Sequence, residues 1–172
     1  MLKLLGSCMI LTGCFGMGLW YRAQFNGRIR TLRALREILE LLSGEVRYGR
    51  STLPECCSLV AKKAQPPFGG ALERVGQNMR DNIGLSFGET FQKEFEEAFE
   101  GMHLKDEDRE AFLQFTRQAC HADGLMQLRA MEQSIELLRR TEEALEKENA
   151  EKCRMAVGLG AMSGILLILI LW

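Results

Sequence analysis

At 172 residues the chain has room for one domain of ordinary size together with flanking segments. Its 22 basic and 23 acidic side chains leave a net charge of −1, so the overall charge nominates neither nucleic acid nor an acidic substrate as a partner, and no nucleic acid is expected. Three prolines and no run of alternating β-branched residues argue against a sheet, so the expected class is all-α.

The chain opens on an apolar run. Leu4–Tyr21 is uncharged and 18 residues long, and Met155–Trp172 matches it at the other end. As a helix each run is about 27 Å long, just enough for a hydrocarbon core of ~30 Å. Both are predicted membrane spans. Within the first, Leu11-Thr12-Gly13-Cys14 has the look of a bacterial lipoprotein cleavage signal. Three features oppose that alternative: only ten residues of hydrophobic stretch precede Cys14, the apolar run continues to Tyr21, and arginines follow it. Those arginines are Arg22, Arg28, Arg30, Arg33 and Arg36, with no acid before Glu37. Such a basic cluster beside a span retains the following segment in the cytoplasm and suits anionic lipid headgroups. Lys147, Lys152 and Arg154 precede the second run in the same way. The expected organisation is therefore a membrane helix over 1–21, a cytoplasmic helical bundle over 22–154, and a membrane helix over 155–172.

The middle segment predicts six helices. In the first, Ile29, Leu32, Leu35, Leu39, Leu42 and Val46 form one stripe that ends near Tyr48-Gly49. Thr52-Leu53-Pro54-Glu55 has the form of a capping box opening a second helix, which stops by Pro66-Pro67. The third offers Phe68, Leu72, Val75 and Met79 before Gly84. Ser86-Phe87-Gly88-Glu89 is a second capping box, and the fourth helix then stacks Phe91, Phe95, Ala98 and Phe99 before Gly101. A fifth begins at Asp106 with acids in its first turn and presents Phe112, Phe115 and Ala119.

The sixth starts near Asp123-Gly124 with a stripe of Leu125, Leu128, Met131, Ile135, Leu138 and Leu145, leaving Glu142 and Asn149 on the same face. Beyond Leu145 the sequence EKENAEKCR is polar on every side, and no glycine or proline interrupts the helix before Gly158. One helix running continuously into the C-terminal span is expected, about 73 Å long. In that span Ala156, Gly160 and Gly164 recur every four residues, a small-residue face that permits close helix packing and homo-oligomers.

Catalytic chemistry is sparse. No G-x-x-x-x-G-K phosphate loop occurs, and Gly158-Leu159-Gly160 follows no strand. Cys120-His121 with Asp123 supplies too few ligands, at unsuitable helical angles, for a structural zinc. Adjacent Cys56-Cys57 is expected to be one core and one boundary position. The six cysteines lack any C-x-x-C spacing and fit a reducing compartment. Neither a catalytic site nor a cofactor or metal is expected. Segment 81–110 holds ten acids against Lys93, Lys105 and Arg109, and Glu94, Glu97 and Glu100 are a candidate face for a basic partner, weighed against an ordinary solvated surface.

Several short motifs in this order resemble the stage III sporulation protein AB family. They are MLKLLG at the start and EVRYGRSTLPE, where Glu45, Tyr48, Gly49, Leu53, Pro54 and Glu55 fit the family's first turn. Asp123 and Gln127 open the last helix, and LGAMSGILLILIL closes the chain. Ala119-Cys120 and Phe91 depart from the family's usual Leu-Gly and tryptophan. The resemblance implies a six-helix bundle like the cytoplasmic domain of the inner-membrane platform protein of type II secretion and type IV pilus systems. It also implies a non-enzymatic role in a secretion-like channel between mother cell and forespore. There the expected partners are a secretion-type ATPase, the stage III sporulation protein AA, and other membrane proteins of the complex. The alternative is an unrelated membrane-tethered scaffold that self-associates through its spans.

Overall fold

A computed structural model of the chain describes residues 27–49, 52–81, 84–119 and 124–171. Among them are six helices and no strand: α1 (27–48), α2 (Leu53–Ala61), α3 (Phe68–Arg80), α4 (Phe87–Ala98), α5 (Asp106–Ala119) and α6 (Gly124–Leu171). The expected all-α, six-helix architecture is what forms. Two compact units divide the chain, Arg30–Glu142 and a second made of Met1–Ile29 with Glu143–Trp172.

In the unit Arg30–Glu142, α2 packs on α3, α3 on α4 and α4 on α5. Local sequence sets the helix starts. At α2 the Thr52 N–H donates to the Glu55 carboxylate at 2.8 Å, and Pro54 lies in the first turn where no donor is needed. At α4 both halves of the capping box form: the Ser86 N–H donates to Glu89 Oε2 at 2.9 Å, and the Glu89 N–H donates to Ser86 Oγ at 3.3 Å. Gly84 and Gly101, at φ +80° and +75°, take left-handed positions that other residues adopt at a cost.

The core has an aromatic part on α3, α4 and α5 and a leucine-rich part on α1. Phe91 stacks on Phe95 with centroids 4.3 Å apart, Phe112 lies 4.9 Å from Phe95, and Phe115 meets Phe91 edge-on at 5.2 Å. The edge-on geometry of Phe91 and Phe115 is one that ring quadrupoles prefer, while Phe95 and Phe112 meet at a tilt of 47°. On α1, Leu32, Leu35, Leu39 and Leu42 are fully buried, as the spacing predicts. Arg33 and Arg36 reach Glu142 while Arg47 reaches Glu132. Residue numbers thus rise along α1 as they fall along α6, so the two helices run antiparallel.

Two stripes differ from the sequence expectation. Met79 is only half-buried, because α3 turns Ala71 and Gly76 inward beside Leu72 and Val75. On α6 the buried line is Ala130, Met131, Ser134, Leu138, Glu142 and Leu145, whereas Leu125 is 78% exposed and Leu128 and Ile135 are half-buried. Leu128 and Ile135 lie seven apart, on a line beside the one through Met131, Leu138 and Leu145. Only one of two neighbouring heptad lines on a 3.6-residue helix can occupy the centre of the face.

Of the second unit the structure describes residues 27–29 and 143–171. Ile29 and Leu145 are buried in it, and Lys152 pairs with Glu148 at 2.6 Å. The helix expected to continue into the C-terminal apolar run does so, through Leu171. Among the described residues, no helix is long and apolar enough to cross a membrane. The first expected span, 4–21, lies outside the described residues, as do the side chains of 156–172.

Candidate functional site

The helix α4 carries the candidate acidic face. Its inner side is Phe87, Thr90, Phe91, Phe95 and Ala98, at helical spacing. Glu94 falls on that inner side, not on the surface: it is 6% exposed. Its carboxylate accepts from Arg74 Nε and, at 3.0 Å, from Asn78 Nδ2, both on α3. The bond from Glu94 raises the Arg74 guanidinium further above its usual range. A buried carboxylate needs such partners, since an unpaired one loses its hydration with nothing in return. Glu94 is therefore a bridge between α3 and α4, and the expected three-residue face is corrected to two. Glu97 is 70% exposed, with Arg74 Nη2 at 3.7 Å, and Glu100 is exposed without an ion pair among the described residues.

The neighbouring acids of α5 divide in the same way. Asp108 is buried and its Oδ2 accepts the Lys105 N–H at 3.1 Å, a cap for the helix start. Glu110 pairs with Arg117 at 3.2 Å and Asp106 stands 4.0 Å from Arg109, while Glu107 stays exposed. Glu97 and Glu100 on or just after α4 and Asp106 and Glu107 on α5 are exposed acids, with Glu96 bonded to Gln92 at 2.8 Å.

The basic residues of α1 also split. Arg22 lies outside the described residues. Arg28 is half-buried and Arg30 exposed. Arg33 Nε donates to Glu142 Oε1 at 2.8 Å, and Arg36 Nε donates to Glu142 Oε2 at 3.1 Å. A second arm of Arg36 holds Glu40 at 2.6 Å. Two of the five arginines expected to face lipid headgroups thus clasp a carboxylate that is 6% exposed. Sequence reasoning placed Glu142 on the apolar face but did not join it to them. An acid at a core position is itself the signal that a distant cation must approach.

The remaining candidates carry less chemistry. Ala156, Gly160 and Gly164 belong to α6, with side chains outside the described residues. Cys120, His121 and Asp123 also lie outside them, and His103 is exposed. Cys56 and Cys57 are both fully buried, which corrects the expected core-and-boundary split. Burial first, and the neighbouring Cys56 second, push the Cys57 thiol up to about 12, so it stays protonated and a poor nucleophile. Among the described residues no group of three or more His, Cys, Asp and Glu is placed to hold a metal.

Comparison with known proteins adds what this geometry leaves open. A family profile described as stage III sporulation protein AB matches residues 3–172. A relative of that name from Bacillus subtilis (strain 168) is 26% identical over 171 residues, 99% of either chain. A solved structure of a stage III sporulation protein AB matches with TM-score 0.64 at 21% identity, over 72% of this chain and 97% of that one. That likeness extends the shared fold to a structure solved independently.

Proposed function

The chain belongs to the stage III sporulation protein AB family, and from that premise we propose that it is a non-enzymatic platform of a sporulation channel. In this role it is anchored by two spans in the mother-cell membrane around the forespore, with the helical bundle in the cytoplasm. The bundle docks a cytosolic secretion-type ATPase, the stage III sporulation protein AA, alongside other membrane proteins of the complex. Family membership across residues 3–172 carries this role. Local features agree with it. Arg28 and Arg30 follow the first apolar run in sequence and are suited to anionic headgroups. Glu97, Glu100 and Glu107 leave an acidic surface for a basic partner. Close packing of spans through Ala156, Gly160 and Gly164 is the matching route to homo-oligomers.

Co-purification of the full chain with the ATPase tests the role. Glu97→Lys with Glu100→Lys is expected to weaken capture. Capture unchanged by the reversal removes this face as the dock, and absence of any association with the ATPase removes the role.

A further inference from the structure

Along the part of α6 that belongs to the unit Arg30–Glu142, apolar attachment is thin. Leu125 and Met126 are exposed, and the buried residues after them are Ala130, Met131, Ser134, Leu138 and Glu142. Only Met131 and Leu138 are large apolar side chains. Ala130 is small, the Ser134 hydroxyl is buried without a partner among the described residues, and Glu142 puts a carboxylate on the inner face. Other helices of the unit are bound better. On α1, Leu32, Leu35, Ile38, Leu39 and Leu42 are buried, and α4 buries Phe87, Phe91 and Phe95 within 12 residues. Burial stabilises in proportion to apolar area, so α6 gains less per turn than either.

Ion pairs supply much of the remaining hold. Glu142 takes Arg33 at 2.8 Å and Arg36 at 3.1 Å, a clasp on a buried carboxylate. Arg47–Glu132 is half exposed on both sides, where a pair is worth little. When α6 moves away, Glu142 and its arginines regain water, which offsets part of the lost clasp. Segments with few buried apolar contacts open at lower free energy than the core they cover. We infer that α6 over 130–142 is a strap that opens from the bundle as a unit, with the Glu142 clasp as its catch, while α3, α4 and α5 stay packed on their phenylalanines. Glu142 is also the residue of this unit nearest in sequence to the C-terminal apolar run, on the same unbroken helix. A pull along α6 therefore loads the catch before any other part of the strap.

Hydrogen exchange of the full chain in lipid vesicles, read by mass spectrometry at rising sub-denaturing urea, tests this. After correction for intrinsic rates, peptides from 130–142 are expected to exchange about tenfold faster than those from 87–98 and 106–117, through an opening of their own with a weaker urea dependence. Glu142→Gln should speed exchange of 130–142 by a further factor of about ten and leave 87–98 unchanged. Glu94→Gln, which cuts the bridge between α3 and α4 instead, should speed 87–98 and leave 130–142 unchanged. One opening shared by all three segments in the parent overturns the strap. Unchanged exchange of 130–142 in Glu142→Gln, or equal acceleration of all three segments, overturns the catch. Loss of folding in this near-isosteric variant overturns both, because α6 would then be inseparable from the bundle.

Discussion

Ser134 is fully buried in α6, and its hydroxyl has no hydrogen-bond partner among the described residues. A buried hydroxyl without a partner forfeits its hydration, and serine is also a poorer helix former than alanine. Ser134→Ala is expected to stabilise the chain by about 1 kcal/mol, seen as a raised urea midpoint at unchanged slope. A lowered midpoint would mean that the hydroxyl has a partner. Cys57 makes the opposite kind of prediction. Its thiol is raised from an ordinary 9.0 to about 12 by burial, so in alkali the unfolded chain gives up this proton before the folded one. The stabilisation is full below pH 9 and is lost as pH rises from 9 to 12, by about 4 kcal/mol across the whole window. Unfolding midpoints from pH 8 to 10.5 should fall more steeply in the parent than in Cys57→Ala. Equal slopes would refute the assignment to this thiol.

At the scale of elements, α2 and α3 approach each other through Gly76. A Cβ there would lie 2.2 Å from Ser58 Oγ and 3.1 Å from the Pro54 carbonyl oxygen. Gly76→Ala gains helix propensity, yet the forced separation of the helices outweighs it, for a net loss of about 1–3 kcal/mol. Ser58→Ala removes the nearest clash and should recover part of that loss in a double-mutant cycle. Strict additivity would show that the two helices do not meet there. Such helix boundaries and faces are what sequence makes legible. Ser86 and Glu89 announce α4, and Phe91, Phe95, Phe112 and Phe115 all enter one core, because capping and periodicity are local properties. Glu94 and Glu142 were not legible as bridges, since their cations lie 20 and more than 100 residues away. The α6 stripe was misjudged for a related reason: two heptad lines qualify by spacing, and only packing against other helices chooses between them.

Across the molecule, the acids of segment 81–110 do two separate jobs that composition counts as one. Glu94 is withdrawn into a bond with Arg74 and Asn78, where its charge is worth stability and contributes little field to solvent. Glu100 stands in water and Glu97 is 70% exposed with only a loose 3.7 Å pairing to Arg74, so either charge is worth little stability and acts mainly on an approaching partner. The two kinds of substitution should therefore separate cleanly. Glu94→Gln keeps the side-chain shape but replaces an ionic bridge, with an expected loss of about 1–2 kcal/mol and unchanged capture of the ATPase. Glu97→Lys with Glu100→Lys should hold stability within about 0.5 kcal/mol while weakening capture. Raising salt should weaken capture by the parent and much less by the reversed chain, because exposed charges are screened beyond ~10 Å at 0.1 M. Equal salt dependence in the two would place the docking surface elsewhere on the bundle, and a large stability loss on reversal would show that the Arg74 contact of Glu97 supports the fold. Glu94 is the internal control for both outcomes, being the acid of the same helix that geometry takes away from any partner.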